Sequence, residues 1–372
     1  MAMHRLVIRS RRARLAAATL CLAVVAAAGL AIHQTAEART TPAADAVVVA
    51  EYDLGDKVFT DKPDWPQGFS EMRAVVHYPR RLPAGKMPVV VLLHGQQYPC
   101  YSAREQDWDW PCPAGVRPYP SYRGYDYLGD ALARDGYLVL SLSANGINNF
   151  MGVAPQRAKV IYDHLGLWRR LLTSGGGPLA GRFTDPATGR KVAVDLRGHV
   201  DLARVGLMGH SVAGEGVMVA AADGYQGAVP PGVRIRGVVS VASPGSSGFY
   251  PTLVTRMPFA VLSPDCWGSG DHHYFEDARG RTRQPAFLVR IARANHNYFN
   301  TAWTTGPGQS GGDDTNCPGT PDRPTPAQQQ SFAVTYLRAF YGLALKGDRA
   351  GLPVLTGARR IPGVDTAVDT LP

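Results

Sequence analysis

Cysteine is scarce in this sequence, whose 372 residues include five of them. Cys21 lies in an N-terminal apolar stretch without a lipobox, which argues against a lipoprotein. The other four are Cys100, Cys112, Cys266 and Cys317, and their spacings do not fit a zinc site built from four cysteines. An even number of cysteines in an exported chain indicates disulfides. Of the three possible connectivities, we favour Cys100–Cys112 and Cys266–Cys317.

The sequence also lacks a basic patch interleaved with aromatic residues. The formal net charge of the whole chain is +9, and removal of residues 1–38, with their five arginines and one glutamate, leaves +5. This excess is modest for the remaining chain, so we expect no nucleic-acid partner. The charge is that of a solvated, slightly basic surface.

The N-terminus combines arginines with one long uncharged stretch, residues 15–32, followed by Ala36-Glu37-Ala38. A basic region, an apolar core and an A-x-A site predict a secretory signal peptide over residues 1–38. An uncleaved membrane anchor is the alternative, because 18 uncharged residues can just span a bilayer. The many alanines favour cleavage, so we expect a secreted protein with no stable membrane span.

Internal repeats are absent, and no linker interrupts residues 47–345, which indicates one domain there. Residues 39–46 read as a polar linker and residues 346–372 as a C-terminal tail. Strands are predicted at 47–60, 72–79, 88–93, 137–143, 205–208, 235–241, 258–263 and 286–291, and helices at 125–134, 158–172, 217–222 and 325–345. Strands that alternate with helices predict an α/β fold, with a mostly parallel central sheet and helices on both faces.

The most informative stretch runs from Arg204 to Gly216. An apolar strand leads into Gly209-His-Ser-Val-Ala-Gly214, and helix-forming residues follow. Strand, sharp turn with a serine, then helix is the context of a nucleophile elbow, which makes Ser211 the candidate nucleophile. Positions two before and two after the serine must be small, and Gly209 and Ala213 satisfy this. The alternative is a Gly/Ser-rich turn after a core strand.

A serine hydroxyl needs a base, and the base needs an orienting carboxylate. His296 follows the last predicted parallel strand and is the candidate base, since in this context the chain order is serine, acid, histidine. Asp265, two residues beyond the strand at 258–263, is the candidate acid, and Asp271 is the alternative acid. A metal site at Asp271, His272 and His273 lacks helical spacing or a further ligand, so we expect no metal there.

An oxyanion needs two preorganised donors. The backbone N–H of Val212 is predicted to supply one, and the backbone of Gln96, after the strand that ends in His94-Gly95, the other. His94 precedes the elbow, so it is expected to shape this turn rather than to act as a base. His210 is expected to be structural, and Glu215 to be a partner for a neighbouring loop.

Three stretches, Leu92-Leu-His-Gly95, Gly209-His-Ser-Val-Ala-Gly214 and Asn295-His-Asn-Tyr-Phe-Asn300, resemble the α/β-hydrolase superfamily. The resemblance covers about residues 70–345 and is closer to exported bacterial members, distantly akin to dienelactone hydrolases, platelet-activating-factor acetylhydrolases and cutinase-like polyester hydrolases. It implies Ser211 as nucleophile, His296 as base and an acid in the 264–271 loop. Val212-Ala213 stands where those members carry Arg-Gly, and Asp265-Cys-Trp-Gly where their acidic motif is more regular.

These expectations describe a secreted, monomeric serine hydrolase that cleaves small or polymeric carboxylic esters through an acyl-enzyme and needs no cofactor. The alternatives are an acyltransferase with the same triad and a catalytically impaired binding protein, which the two departures allow. Few residues separate the strands at 235–241 and 258–263, so we expect no large lid. Trp108, Trp110, Trp267 and Trp303 are expected either to wall the pocket or to pack within loops. Calcium binding by the loop 306–326, with Asp313-Asp314, is an open alternative.

Overall fold

The computed structural model describes residues 47–60, 68–102, 106–149, 154–268, 270–305 and 321–372. The predicted signal peptide (1–38) and linker (39–46) lie outside these residues. So do Cys317 and the Asp313-Asp314 pair.

Fifteen strands are found in the described residues. In chain order they are β1 (Val47–Asp53), β2 (Phe59–Thr60), β3 (Phe69–Ser70), β4 (Arg73–Pro79), β5 (Met87–Leu93), β6 (Cys100–Tyr101), β7 (Gln106–Asp107), β8 (Arg117–Pro118), β9 (Leu138–Leu142), β10 (Phe183–Thr184), β11 (Val200–His210), β12 (Ile235–Val241), β13 (Phe259–Pro264), β14 (Ala286–Ile291) and β15 (Thr366–Leu371).

The α-helices connect or flank these strands. They are α1 (Asp126–Arg134), α2 (Asn145–Asn149), α3 (Ala154–Ser174), α4 (Val212–Ala221), α5 (His273–Ala278), α6 (Thr301–Thr305), α7 (Pro326–Lys346) and α8 (Leu352–Leu355). Short 3-10 helices lie at Ser121–Tyr125, Asp223–Ala228 and Asn297–Phe299. The long predicted elements are found with ends that shift by up to five residues, except that the strand predicted at 47–60 ends at Asp53 and only Phe59–Thr60 forms a further strand.

Ten strands form one sheet in the order β10-β1-β4-β9-β5-β11-β12-β13-β14-β15. The six central strands, β9-β5-β11-β12-β13-β14, run parallel to one another. The outer strands β10, β1, β4 and β15 are paired antiparallel. The prediction of an α/β fold with a mostly parallel central sheet is therefore confirmed. All parallel strands present their carboxyl ends at the same edge, which is where loops from distant parts of the chain meet.

Both faces of the sheet are covered, as strand β5 shows. Its seven residues are all buried. Val89, Val91 and Leu93 belong to one hydrophobic cluster with α3, α4 and α5, whereas Val90 and Leu92 belong to the other with α1 and α7. Because successive side chains of a strand point to opposite faces, a continuous apolar run of this kind fits a strand covered by helices on both sides.

Helix α7 begins and ends at clear sequence signals. The Thr325 hydroxyl accepts from the Gln328 N–H, the Gln328 side chain accepts from the Thr325 N–H, and Pro326 is the first helical residue. This is a capping box with proline at a position that needs no donor. The helix ends at Gly347, whose φ of 68° lies in the left-handed region that terminates helices.

The C-terminal segment 346–372, expected to be a tail, contributes structure to the sheet. Strand β15 pairs antiparallel with β14 along all six residues, from Ala286↔Leu371 to Ile291↔Thr366. Its sequence, Thr-Ala-Val-Asp-Thr-Leu, has three polar residues among six, and only Leu371 is buried. A single edge strand of this kind has no long apolar run, so its pairing depends on the open edge of β14 and not on a strong local pattern.

Two further expectations concern loops. The connection between β12 and β13, residues 242–258, is described throughout and contains no helix, as expected for a connection without a helical lid. Cys100 and Cys112 form a disulfide with a Cα–Cα distance of 5.5 Å. Cys266 is buried, but Cys317 lies outside the described residues, so the pairing of these two stays a prediction.

Across the described parts of the chain, no helix combines the length and the apolarity that a bilayer crossing requires.

Candidate active site

Ser211 joins the end of β11 to the start of α4 in a strained conformation. Its φ is 58° and its ψ is −135°, a region that residues with a Cβ rarely adopt. The turn is held by main-chain bonds: the Ser211 N–H donates to the Val241 carbonyl at 2.8 Å, and the Gly214 N–H donates to the Ser211 carbonyl at 2.7 Å. Positive φ at a non-glycine residue is a recurrent property of functional sites.

Two glycines, Gly209 and Gly95, allow main-chain segments to approach closely at this turn. A Cβ at Gly209 would lie 2.1 Å from the Ala213 carbonyl oxygen, so the chain can turn back on itself only because none is there. A Cβ at Gly95 would lie 2.5 Å from the Ser211 Cβ and 3.1 Å from its Oγ. The loop after β5 therefore lies directly against the serine, where a second oxyanion donor is needed.

His296 lies beside this turn. It follows β14 in the sequence and is 5% exposed, as is Ser211. Its ring centroid is 5.0 Å from that of His210, the residue that precedes Ser211, and 3.9 Å from that of Trp267. Its Nδ1 is 2.6 Å from the amide oxygen Oδ1 of Asn297. Since an amide oxygen only accepts, this contact places a proton on Nδ1 and leaves Nε2 as the basic nitrogen.

His210 connects the two residues structurally. Its Nε2 is 2.9 Å from the His296 carbonyl oxygen, and its Nδ1 is 2.9 Å from the Tyr125 hydroxyl. A carbonyl cannot donate, so Nε2 carries the proton and Nδ1 accepts from the tyrosine. Complete burial lowers the pKa of His210 well below its usual range, so the ring stays neutral and fixes the main chain at His296.

The two candidate acids lie elsewhere around β13. Asp265 is exposed, and the charged neighbours that sense its carboxylate are Arg290 and His272. Asp271 is buried and accepts from the Ser263 hydroxyl at 2.9 Å. Burial raises the pKa of Asp271 to about 7, so near neutral pH much of this group is protonated. Among the contacts between described residues, neither carboxylate is hydrogen-bonded to His296.

The two predicted oxyanion donors belong to the first residue of α4 and to the loop after β5. Val212 begins the helix, where N–H groups have no partner within the helix. His94 Nδ1 donates to the Gly95 carbonyl at 2.8 Å, and His94 Nε2 accepts from the Ala144 N–H at 2.8 Å. Burial lowers the pKa of His94 to about 4, so the ring is neutral and holds the turn before Gln96.

Glu71, which the sequence did not single out, anchors α2 next to this loop. The carboxylate is fully buried and accepts from four groups: the N–H groups of Asn145 and Gly146 at 2.8 and 2.9 Å, and the hydroxyls of Ser70 and Ser143. The N–H groups belong to the first turn of α2, where a negative charge is favourable. The only local signal is a glutamate beside an apolar strand, which is too common to mark this role.

The tryptophans divide between site and scaffold. Trp267 faces His296, and Trp303 lies 4.7 Å from the His210 ring and 6.0 Å from the His296 ring, between centroids. Trp110 is buried and donates to the Asp56 carbonyl at 2.8 Å, which is loop packing. Trp108 is partly exposed beside Tyr98, at 4.9 Å between centroids.

Glu215, on the first turn of α4, accepts from the N–H and hydroxyl of Ser247, both at 2.8 Å. It thus ties the loop after β12 to the elbow helix, as expected. In the described part of the chain, no group of three or more His, Cys, Asp or Glu residues is arranged to hold a metal ion.

Comparison with known proteins gives no family: the chain matches no protein-family model and no curated protein.

Proposed function

We propose that this protein is an exported serine hydrolase of the α/β-hydrolase type that cleaves carboxylic esters. The observation that carries the proposal is the conformation of Ser211, a non-glycine residue with φ of 58° between a buried parallel strand and a helix. Backbone strain at a serine between a strand and a helix is characteristic of a nucleophile elbow. The ring of His296, from the loop after β14, has its centroid 5.0 Å from that of His210, the residue that precedes Ser211.

The reaction begins with proton transfer. His296 Nε2 takes the Ser211 Oγ proton as Oγ forms a bond to the ester carbonyl carbon. The carbonyl oxygen becomes the oxyanion of a tetrahedral intermediate and is bound by the N–H groups of Val212 and Gln96. Collapse breaks the bond to the alcohol oxygen, which receives the proton from His296, and leaves the acyl group on Ser211.

Deacylation repeats these steps with water. His296 takes a proton from water as its oxygen attacks the acyl carbon, and the same two N–H groups bind the second oxyanion. The acid leaves, and Ser211 regains its proton. Asp265 and Asp271 are the carboxylates proposed from the sequence to orient the imidazole, while Asn297 is the residue bonded to Nδ1 in this structure.

The test is hydrolysis of a panel of fluorogenic esters by the secreted form, with Ser211→Ala as the control. We expect turnover of at least one ester and its loss in the variant, by a factor of about 10³ or more because the nucleophile is gone. Transfer to an added alcohol in preference to water would indicate the acyltransferase. Equal rates for both proteins would contradict the proposal.

A further inference from the structure

A chain of hydrogen bonds leads from a buried arginine to the loop after β5. Arg157, on α3, is almost fully buried and donates from Nη2 to the Asn148 side-chain oxygen at 2.9 Å. Asn148, on α2, donates from Nδ2 to two main-chain carbonyls, those of Gly95 at 3.2 Å and Gln97 at 3.0 Å. In each of these hydrogen bonds the direction is determined, because guanidinium and amide N–H groups only donate and carbonyl oxygens only accept.

The direction of these bonds matters for Gln96. In a trans peptide the C=O and the N–H point in opposite directions. The Gly95 carbonyl is held by Asn148 on one side and by His94 Nδ1 as well. The N–H of the same peptide unit, which belongs to Gln96, therefore points away from both. Gly95 lies against Ser211, so the peptide unit between Gly95 and Gln96 is next to the candidate nucleophile.

Burial of the Arg157 guanidinium in this position is energetically unfavourable. Among the described residues, its buried Nη1 has no hydrogen-bond partner and no carboxylate forms an ion pair with it. Burial lowers the pKa of the guanidinium to about 10, so it remains charged at neutral pH. An uncompensated buried charge is destabilising, and groups of this kind are concentrated at functional sites.

We propose that Asn148 and Arg157 are positioning residues for the oxyanion donor of Gln96. The guanidinium polarises and orients the Asn148 amide, and the amide holds the Gly95 carbonyl so that the Gln96 N–H faces the developing negative charge. Successive hydrogen bonds through amides strengthen one another, so the positive charge of Arg157 makes that N–H a better donor. The inference rests on the proposed function of Ser211.

Asn148→Asp is the most direct variant, because it keeps the shape and the acceptor for Arg157 but removes the Nδ2 donor. We expect kcat to fall by about ten- to hundredfold, since a misplaced oxyanion donor loses part of the effect of a deleted one, while KM stays near the wild-type value. Inhibition by an alkylboronic acid, which forms a tetrahedral adduct on the serine, should weaken by a similar factor.

Asn145→Asp is the matched control on the same helix. The Asn145 side chain is equally buried and donates to a main-chain carbonyl, that of Tyr119 at 2.9 Å, and not to the carbonyls of Gly95 or Gln97. We expect it to lower the resistance to urea but to leave kcat per folded molecule unchanged. An equal fall of kcat in both variants would mean that α2 has only a structural role and would overturn the proposal.

Arg157→Met gives a second, independent readout. Removing an unpaired buried charge is expected to leave the urea midpoint unchanged or higher, whereas kcat and boronate affinity fall several-fold. A folded Arg157→Met protein with wild-type kcat, together with wild-type kcat in Asn148→Asp, would overturn this inference alone. A folded wild-type protein without esterase activity would overturn the proposed function and this inference with it.

Discussion

Residues that differ in chemistry hold His296 in place. Asn297 holds Nδ1, His210 holds the main-chain carbonyl, and the Trp267 ring lies against the imidazole. The side chains that orient a base determine which nitrogen is available to the nucleophile. At the scale of single residues, the identity of the group on Nδ1 is therefore the most informative variable.

Replacing Asn297 by alanine should lower kcat/KM by about tenfold or more, because loss of one hydrogen bond of ordinary strength at the transition state has that effect. Asp265→Asn should leave kcat/KM near the wild-type value, because Asp265 is exposed and its charged neighbours are Arg290 and His272. Steady-state kinetics on one ester compares the two variants. The opposite order of effects would identify Asp265 as the orienting acid.

Asp271 gives a pH-dependent prediction. Its pKa is raised to about 7 in the folded protein, against 3.8 for an ordinary aspartate. Below pH 4 the folded and unfolded states are both protonated, and as pH rises from 4 to 7 the unfolded state loses the proton first. This group therefore lowers the free energy of unfolding over that window, by on the order of 4 kcal/mol at pH 8.

Asp271→Asn removes this contribution while keeping an oxygen for the Ser263 hydroxyl. We expect the variant to match the wild type in urea unfolding near pH 4 and to be more stable at pH 8. A variant that is less stable than the wild type at pH 8 would show that Asp271 is ionised and stabilising in the folded protein.

At the scale of elements, the elbow depends on a close approach of β11 to α4. Gly209→Ala would place a methyl group 2.1 Å from the Ala213 carbonyl oxygen, and relaxation is limited because the nearest atoms belong to the main chain of Ala213. We expect a loss of about 3 kcal/mol or more in urea unfolding, as for severe overpacking. Ala213→Gly, two residues after the serine, should cost about 1 kcal/mol, the helix propensity difference. Similar losses in the two variants would contradict this account of the turn.

Helix α2 depends in the same way on Glu71. Glu71→Gln replaces one of two acceptor oxygens by an NH₂ group that faces buried donors. We expect the free energy of unfolding to fall by about 2 to 3 kcal/mol. Glu276→Gln, on the exposed face of α5, should cause no measurable change. Equal stability of the Glu71 variant and the wild type would show that the hydrogen bonds of this carboxylate do not stabilise helix α2.

The sequence predicted the elements with strong local patterns and failed where contacts are distant along the chain. Apolar runs identified β5, β11, β12 and β14, and the strand–serine–helix pattern identified the elbow. Strand β15 and helix α2 are short and have no such pattern. Asn148 donates to residues of the loop after β5 about fifty positions away, and Arg157 reaches that loop only through Asn148. Nothing in the local sequence of either residue marks these contacts.

At the scale of the whole molecule, the parallel sheet explains why these residues meet. Strands β5, β9, β11 and β14 end at one edge, and the segments that follow them contain Gln96, Asn148, Ser211 and His296. The helices on both faces bury the apolar strands. Groups carried by several segments at the end of a packed sheet can be positioned accurately while each segment remains free to vary.

The most direct test of the central claim is labelling by a fluorophosphonate probe, followed by mass spectrometry of the modified peptide. We expect one adduct, on Ser211, that is absent from Ser211→Ala and strongly reduced in His296→Ala, because only a serine activated by a base attacks phosphorus readily. A folded wild-type protein that remains unlabelled, or one that is labelled at another residue, would contradict the assignment of Ser211 as the nucleophile.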